Sequence, residues 1–369
     1  MGSDTKGVYL DSLKKSLTAA AAVAVASLAA VTGAQAATVE TVARNLDNPR
    51  GVAIGPDGAV YVANAGRGGR RQLGSGKDVQ LLGRTGRIVR YANGRARTFA
   101  GGFASLTAPG GLFAAGVTGV SVAPDGSVFA ATNSGPPGFI ARAPRLVRRQ
   151  AGRLFSVTRG DFDAVAKIDR VEWKNNVDGV RGDRNSNPYA VLALADRQIV
   201  VDAGANALFE VRGNSVRLLA VIPRNGRAQS VPSSIALGPE GDFYVGELAE
   251  AAGRGKARVW RIPAAGGTPV VHSTGYTTIT GVAFGPDGSL FVTEFARNLA
   301  KGNLKGELIR VAPDGTRTKL GGGKLTAPTG AAVDSTGAVY VSNNSVAPRR
   351  TPRRSPLQGK GGTLVKITP

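Results

Sequence analysis

Residues 281–294 read GVAFGPDGSLFVTE: an apolar run, a Gly-Pro-Asp-Gly turn, a second apolar run and a terminal carboxylate. Two alternating runs about such a turn are a β-hairpin signature. The phrase recurs as GVAIGPDGAVYVAN at 51–64, GVSVAPDGSVFAATN at 119–133, SIALGPEGDFYVGE at 234–247 and GAAVDSTGAVYVSNN at 330–344. A degraded copy, AVLALADRQIVVD, occupies 190–202. Self-similarity at a period of a few tens of residues marks a repeat architecture.

Each copy is followed by a second strand pair: GRIVRYANGRARTFA (86–100), RLFSVTRGDFDAV (153–165), ALFEVRGNSVRLLAVI (207–222), RVWRIPAAGGTPVVHST (258–274) and ELIRVAPDGTRTKL (307–320). Hairpin plus hairpin makes a four-stranded antiparallel blade. A lone blade cannot bury both faces, so blades pack in a ring. Six copies predict an all-β, six-bladed propeller over 37–369. After the sixth hairpin only TLVKITP (363–369) remains, and its missing partner is TVETVARNL (38–46). The N-terminal strand is therefore expected to close the last blade and cover an edge that would otherwise aggregate. DFDAVAKIDRVEWKNN (161–176) has helix-forming composition. It is expected to replace the last strand of the second blade with a short helical insertion, Trp173 half-buried.

Composition bounds the chemistry. The 369 residues include 52 Gly and 20 Pro, punctuation that suits short strands and turns rather than helices. There is no Cys, which excludes disulfides, thiol nucleophiles and Cys-ligated zinc. The single His, His272 in PVVHST, falls on an outer strand and leaves no material for a Ser-His-Asp triad or a His-rich metal site. Lys14 and Lys15 precede an Ala-rich apolar run (17–32) and then AQA (34–36), which reads as a secretory signal over 1–36 cleaved before Ala37. The protein is thus expected to be secreted or periplasmic, and monomeric. The full chain carries a net +22; the signal removes Lys6, Lys14, Lys15, Asp4 and Asp11, leaving +21.

The segments NLDNPRGVAIGPDGAVYVANAGRGG (45–69), SNPYAVLAL…VVDAGANALFEV (186–211), VPSSIALGPEGDFYVGEL (231–248), TGVAFGPDGSLFVTEFARN (280–298) and APTGAAVDSTGAVYVSNN (327–344) together resemble the ScyD/ScyE family. Its members are encoded beside scytonemin biosynthesis genes and resemble NHL-type propellers. The similarity spans essentially 38–369. It implies the same fold and carries over no catalytic residue. The Arg-rich inter-strand loops depart from the family's pattern.

Two sites suggest themselves. The residues ending each second strand, Asn64, Asn133, Asp202, Glu247, Glu294 and Asn343, fall on one rim around the central channel. Three carboxylates among carbonyls suit Ca²⁺, and related lactonase-type propellers hold a metal there. The competing reading is that such residues end strands and bond backbone. Without His or Cys, catalysis would run on carboxylates and a metal, with Glu247 and Glu294 as candidates. The second site is electrostatic. Loops 64–85, 133–153, 203–207, 248–257, 295–306 and 343–362 hold 20 bases against Asp78 and Glu250. Arg145, Arg148 and Arg149, and Arg349, Arg350, Arg353 and Arg354, are its densest parts, with Arg87, Arg212 and Arg310 placed on the blades away from it. A basic crown on one face suits an anionic envelope polymer or acidic ligand, since guanidinium forks match carboxylate and phosphate. Nucleic acid is the least favoured partner, for lack of stacking aromatics and because of export. The leading expectation is an exported binding or scaffold protein of the cell envelope; the alternative is a calcium-dependent hydrolase or lactonase of the gluconolactonase type.

Overall fold

A computed structural model describes residues 37–351, 357 and 359–369. The leader and Arg353 and Arg354 lie outside the described residues. Strand β1 (Thr38–Leu46) comes first. The first blade holds β2 (Pro49–Ile54), β3 (Val60–Asn64), β4 (Arg71–Leu73), β5 (Gln80–Ala92) and β6 (Arg95–Thr107). The second holds β7 (Val117–Val122), β8 (Val128–Thr132), β9 (Arg153–Thr158) and β10 (Asp161–Lys167). The third is β11 (Pro188–Ala193), β12 (Gln198–Asp202), β13 (Ala207–Arg212) and β14 (Ser215–Val221). The fourth is β15 (Pro232–Leu237), β16 (Phe243–Glu247), β17 (Ala257–Ile262) and β18 (Val270–Tyr276). The fifth is β19 (Ile279–Phe284), β20 (Leu290–Glu294), β21 (Glu307–Val311) and β22 (Arg317–Lys319). The sixth is β23 (Ala331–Val333), β24 (Val339–Asn343) and β25 (Gly362–Thr368), completed by β1. The protein is a six-bladed β-propeller. β1 closes it against β25, from Thr38 opposite Thr368 to Leu46 opposite Gly362.

The repeated phrase makes the inner hairpin of each blade. In the first, the Gly58 N–H bonds the Gly55 carbonyl at 2.9 Å, with Gly58 at φ 73°, where a side chain would be strained. The turn aspartate bonds the backbone two residues on: Asp57 to Ala59, Asp125 to Ser127, Asp287 to Ser289 and Asp334 to Thr336. A basic residue of the third strand then reaches back to that turn, pairing Arg90 with Asp57, Arg261 with Asp242, Arg310 with Asp287 and Lys366 with Asp334.

Six hydrophobic clusters fill the six junctions between neighbouring blades. At the axis, small residues let the inner strands meet. A Cβ on Gly51 would lie 2.8 Å from the Thr118 carbonyl, and one on Gly330 would lie 2.7 Å from the Val52 nitrogen. Just above them, hydroxyls lace one blade to the next: Thr118 to the Pro188 carbonyl, Ser233 to Ile279, Thr280 to Pro328 and Thr329 to Pro49. The axial cavity left between these strands is only about 50 Å³.

One expectation is overturned. Asp161–Lys167 is not helical: it forms β10, the fourth strand of the second blade, with Asp161 opposite Thr158 and Lys167 opposite Arg153. The helix is confined to Asp169–Asn175. Composition misled because packing decided. Phe162 on β10 stacks on Phe103 of the first blade with centroids 3.8 Å apart and meets Phe155 edge-on, and a helix would forfeit both contacts. Trp173 is half-buried, as expected, and its indole N–H bonds the Gly135 carbonyl at 3.0 Å.

Candidate anion-binding face

The six rim residues do lie at the ends of their second strands on one face, but each is already committed by hydrogen bonds, Asn133 also donating to Asn187 at the entry to the third blade at 2.6 Å. Asn64 accepts the Asp47 N–H at 3.1 Å, Asn133 the Gly116 N–H at 3.0 Å and Asp202 the Asn187 N–H at 2.6 Å. Glu294 accepts the Thr277 N–H at 2.6 Å and Asn343 the Thr326 N–H at 2.7 Å. In these five blades the side chain that ends the second strand staples the segment entering the first strand. The sixth, Glu247, is fully buried and takes both Arg258 donors, the Trp260 indole N–H and the Asn225 amide. Asp202 also accepts from the Ser186 hydroxyl and the Gly204 and Ala205 N–H groups. Burial pushes the Asp202 carboxyl up, against those hydrogen bonds. Burial likewise raises Glu294, opposed by the Thr277 N–H. Among the described residues no three acidic or imidazole groups converge to hold a metal. The Asp202 and Glu247 oxygens, each already taken by N–H or O–H donors, are a poor fit to Ca²⁺, which needs six or more open oxygen ligands.

The described residues of the mouth loops pack into a core of their own. Phe295, Ala296, Ala327, Val346, Ala347 and Leu357 form a separate buried cluster, with Leu112, Leu299 and Leu304 against it. Backbone bonds knit it across blades, from the Asn48 N–H to Ala347 at 2.7 Å and from Phe113 to Val346 at 3.1 Å. Beneath it, Asp47 is the hub of three guanidiniums: Arg349 at 2.7 Å, Arg67 at 3.1 Å and Arg87 at 3.5 Å. Burial would raise Asp47, yet the Arg349 bonds outweigh it and hold the carboxyl below its usual range. Arg349 is therefore partly neutralised. Arg87, opposite Asn64 in the β3–β5 register, belongs to the mouth and not to the blade body where the sequence pattern put it.

The 133–153 connection folds into two short helices, Pro137–Arg142 and Arg145–Gln150. Gln150 locks the second by accepting the Ala104 N–H of β6 at 2.6 Å. Because the segment is helical, Arg145, Arg148 and Arg149 stand three and four residues apart and share one side. All three are exposed and make no ion pair among the described residues, as is Arg350. The opposite, turn-bearing rim differs, since most of its guanidiniums are paired. The exception lies between the first two blades, where Arg95, Arg97 and Arg159 gather beside Arg90 without a further acid. The second blade has Ser156 at the register position where four others carry the pairing base.

Sequence reasoning missed a pair of buried acids. Asp169 and Glu172, on the helix beside the third blade, are 0% and 1% exposed. Asp169 accepts from the Ser134 hydroxyl at 2.8 Å and lies 3.8 Å from the Lys167 ammonium. Burial, reinforced by Asp202, pushes Asp169 up to about 6. Burial and the neighbouring Asp178, Asp202 and Asp183 push Glu172 up to about 7. A charged helix reads as a solvated face; only the three-dimensional stacking of this one under the loop reveals otherwise. His272 stands on the outer strand β18, edge-on to Tyr244 at 4.8 Å, away from the mouth.

No family model and no curated protein matches the sequence. Solved propellers do match in structure. A putative oxidoreductase (glucose dehydrogenase) from Thermus thermophilus superposes with a TM-score of 0.55 at 16% identity, over 90% of this chain and 100% of that one. A gluconolactonase from Xanthomonas campestris gives 0.51 at 10% identity, over 90% and 89%. Regucalcin, a calcium-binding protein from Agrobacterium tumefaciens, gives 0.50 at 14%, over 89% and 93%. At these identities the likeness shows the fold.

Proposed function

We propose that the chain is an exported β-propeller that binds an anionic ligand or polymer of the cell envelope on its mouth face. Export rests on the leader, and membership of the ScyD/ScyE family on the quoted segments. The observation that carries the reading is the built, Arg-rich mouth. Guanidiniums without acidic partners stand on an ordered platform, three of them on one side of a locked helix. A preordered cationic surface loses less entropy on binding than a mobile loop does. A second reading, a calcium-dependent hydrolase or lactonase, is favoured by the gluconolactonase and regucalcin neighbours. Asp202, Glu247 and Glu294 would be its metal residues, but the hydrogen bonds that already occupy both oxygens of Asp202 and of Glu247 oppose it. One calorimetric series separates the two. The binding reading expects heat with polygalacturonate, none with neutral dextran, and no change in chelator. The hydrolase reading expects calcium to raise the melting temperature and a lactone to be opened. Calcium-dependent turnover with no polyanion binding would sink the first reading.

A further inference from the structure

The two largest embellishments of the propeller meet at one place. Blade one extends past its mouth end, where β5 residues 80–83 run between β4 and the end of β6. The second blade contributes the helical pair 137–150. Between them lies a cleft of about 550 Å³, within the range of small-molecule sites. Its walls are largely apolar: Leu73, Leu106, Phe139, Pro144 and Val147. Phe139 is 51% exposed although an apolar cavity of about 60 Å³ opens directly behind it, sharing Leu106, Phe139 and Val147 with the cleft. The half-exposed ring thus joins two apolar-walled spaces into one concave surface on which an apolar chain would lose its contact with water. Arg71 and Arg142 also line the cleft. Both are exposed and neither makes an ion pair among the described residues, while Asp78 is the single acid there.

We propose that this cleft holds one molecule of a single-chain amphiphile with an anionic head, an alkyl or acyl phosphate or carboxylate. The chain lies along Leu73, Leu106, Phe139 and Val147, and Phe139 turns onto it or into the space behind. The head sits at Arg71 and Arg142, whose forks suit a phosphate or carboxylate. This deepens the anion-binding reading, on which it rests for the sign of the charge, and adds the apolar half that a polymer would not need.

The test is calorimetry on the full mature chain with dodecyl phosphate below its micelle concentration. Butyl phosphate (same head, short chain) and dodecyl maltoside (same chain, no charge) serve as comparators. The expected result is one-to-one binding of dodecyl phosphate, at least ten-fold tighter than either comparator. Phe139→Ser should weaken it at least ten-fold and Phe139→Leu should restore most of it, with the melting temperature unmoved because the ring is half in water. Arg71→Gln with Arg142→Gln should weaken dodecyl phosphate but not dodecyl maltoside. Polygalacturonate binding should be unchanged in Phe139→Ser, so failure of the cleft and failure of the polymer reading are separately visible. Equal binding of butyl phosphate, indifference to Phe139→Ser, or binding only to phosphatidylglycerol vesicles would each overturn the proposal, the last in favour of a membrane surface.

Discussion

The two rims of the ring treat charge in opposite ways. At the turn-bearing rim, acids sit in water beside guanidiniums and backbone donors. The Arg310 hydrogen bond and the Ser289 N–H pull Asp287 down to about 2, and Arg90 and Arg212 lower Asp57 and Asp196. On the mouth side four acids are raised chiefly by burial: Asp202, Glu294, Asp169 to about 6 and Glu172 to about 7. Asp47 alone is held down by its guanidiniums, while the loop bases are mostly exposed and largely unpaired among the described residues. The first arrangement fastens five of the six inner hairpins to their third strands and is nearly neutral. The second places carboxylates inside as staples and leaves the positive charge outside. One repeat unit thus carries its surface ion pairs at one end and most of its unpaired positive charge at the other.

Variants at each rim put that contrast at risk. Deleting residues 37–45 strips β1 from β25, removes buried Ala43 and exposes a sheet edge. Aggregation is expected, and a monomer with unchanged melting temperature in gel filtration and calorimetry would contradict ring closure. Asp47→Ala leaves Arg67, Arg87 and Arg349 repelling one another around a partly buried site. Chemical denaturation should show a loss of roughly 3 kcal/mol, the scale of breaking a buried pair.

Glu172→Gln probes the mouth-side acids. The folded carboxyl holds its proton to about 7 and the unfolded one only to its ordinary 4.5. Its contribution to stability is thus full below pH 4.5 and is lost as pH rises to about 7. The variant should match the wild type at about pH 4.5 and exceed it at about pH 8 by on the order of 1–2 kcal/mol; an equal pH profile for both proteins would exclude the buried-acid account. Asp287 has the opposite sign: its lowered carboxyl stabilises at neutral pH, and that contribution fades as pH falls toward about 2. Being half-exposed, the Arg310–Asp287 pair is worth little, so Arg310→Gln should cost about 0.5 kcal/mol at neutral pH in a thermal melt.

How much of this was legible in the sequence follows from range. The Gly-Pro-Asp-Gly hairpins are local chemistry, so six blades and the closing strand could be read directly. The rim positions could be read as well, but not their partners, because each staple bonds an N–H some 17 residues upstream, as Asn64 does with Asp47. The Asp47–Arg349 pair joins residues 302 apart and has no local signature. Arg87 was misplaced by one strand end, a matter of register. β10 was misread because Asp, Ala and Lys speak for a helix, and only Phe103 across the blade junction says strand.

The central claim is that the mouth binds anions through placement and not through net charge. Two triple variants remove the same charge from opposite rims: Arg145, Arg148 and Arg149 to Gln at the mouth, and Arg95, Arg97 and Arg159 to Gln at the turns. The measurement is the affinity for polygalacturonate across a salt series by calorimetry. The mouth variant is expected to bind at least ten-fold more weakly with a shallower salt dependence, since fewer counterions are released, while the turn-rim variant binds as the wild type does. Equal weakening in both variants would contradict the account and reduce the crown to its net charge.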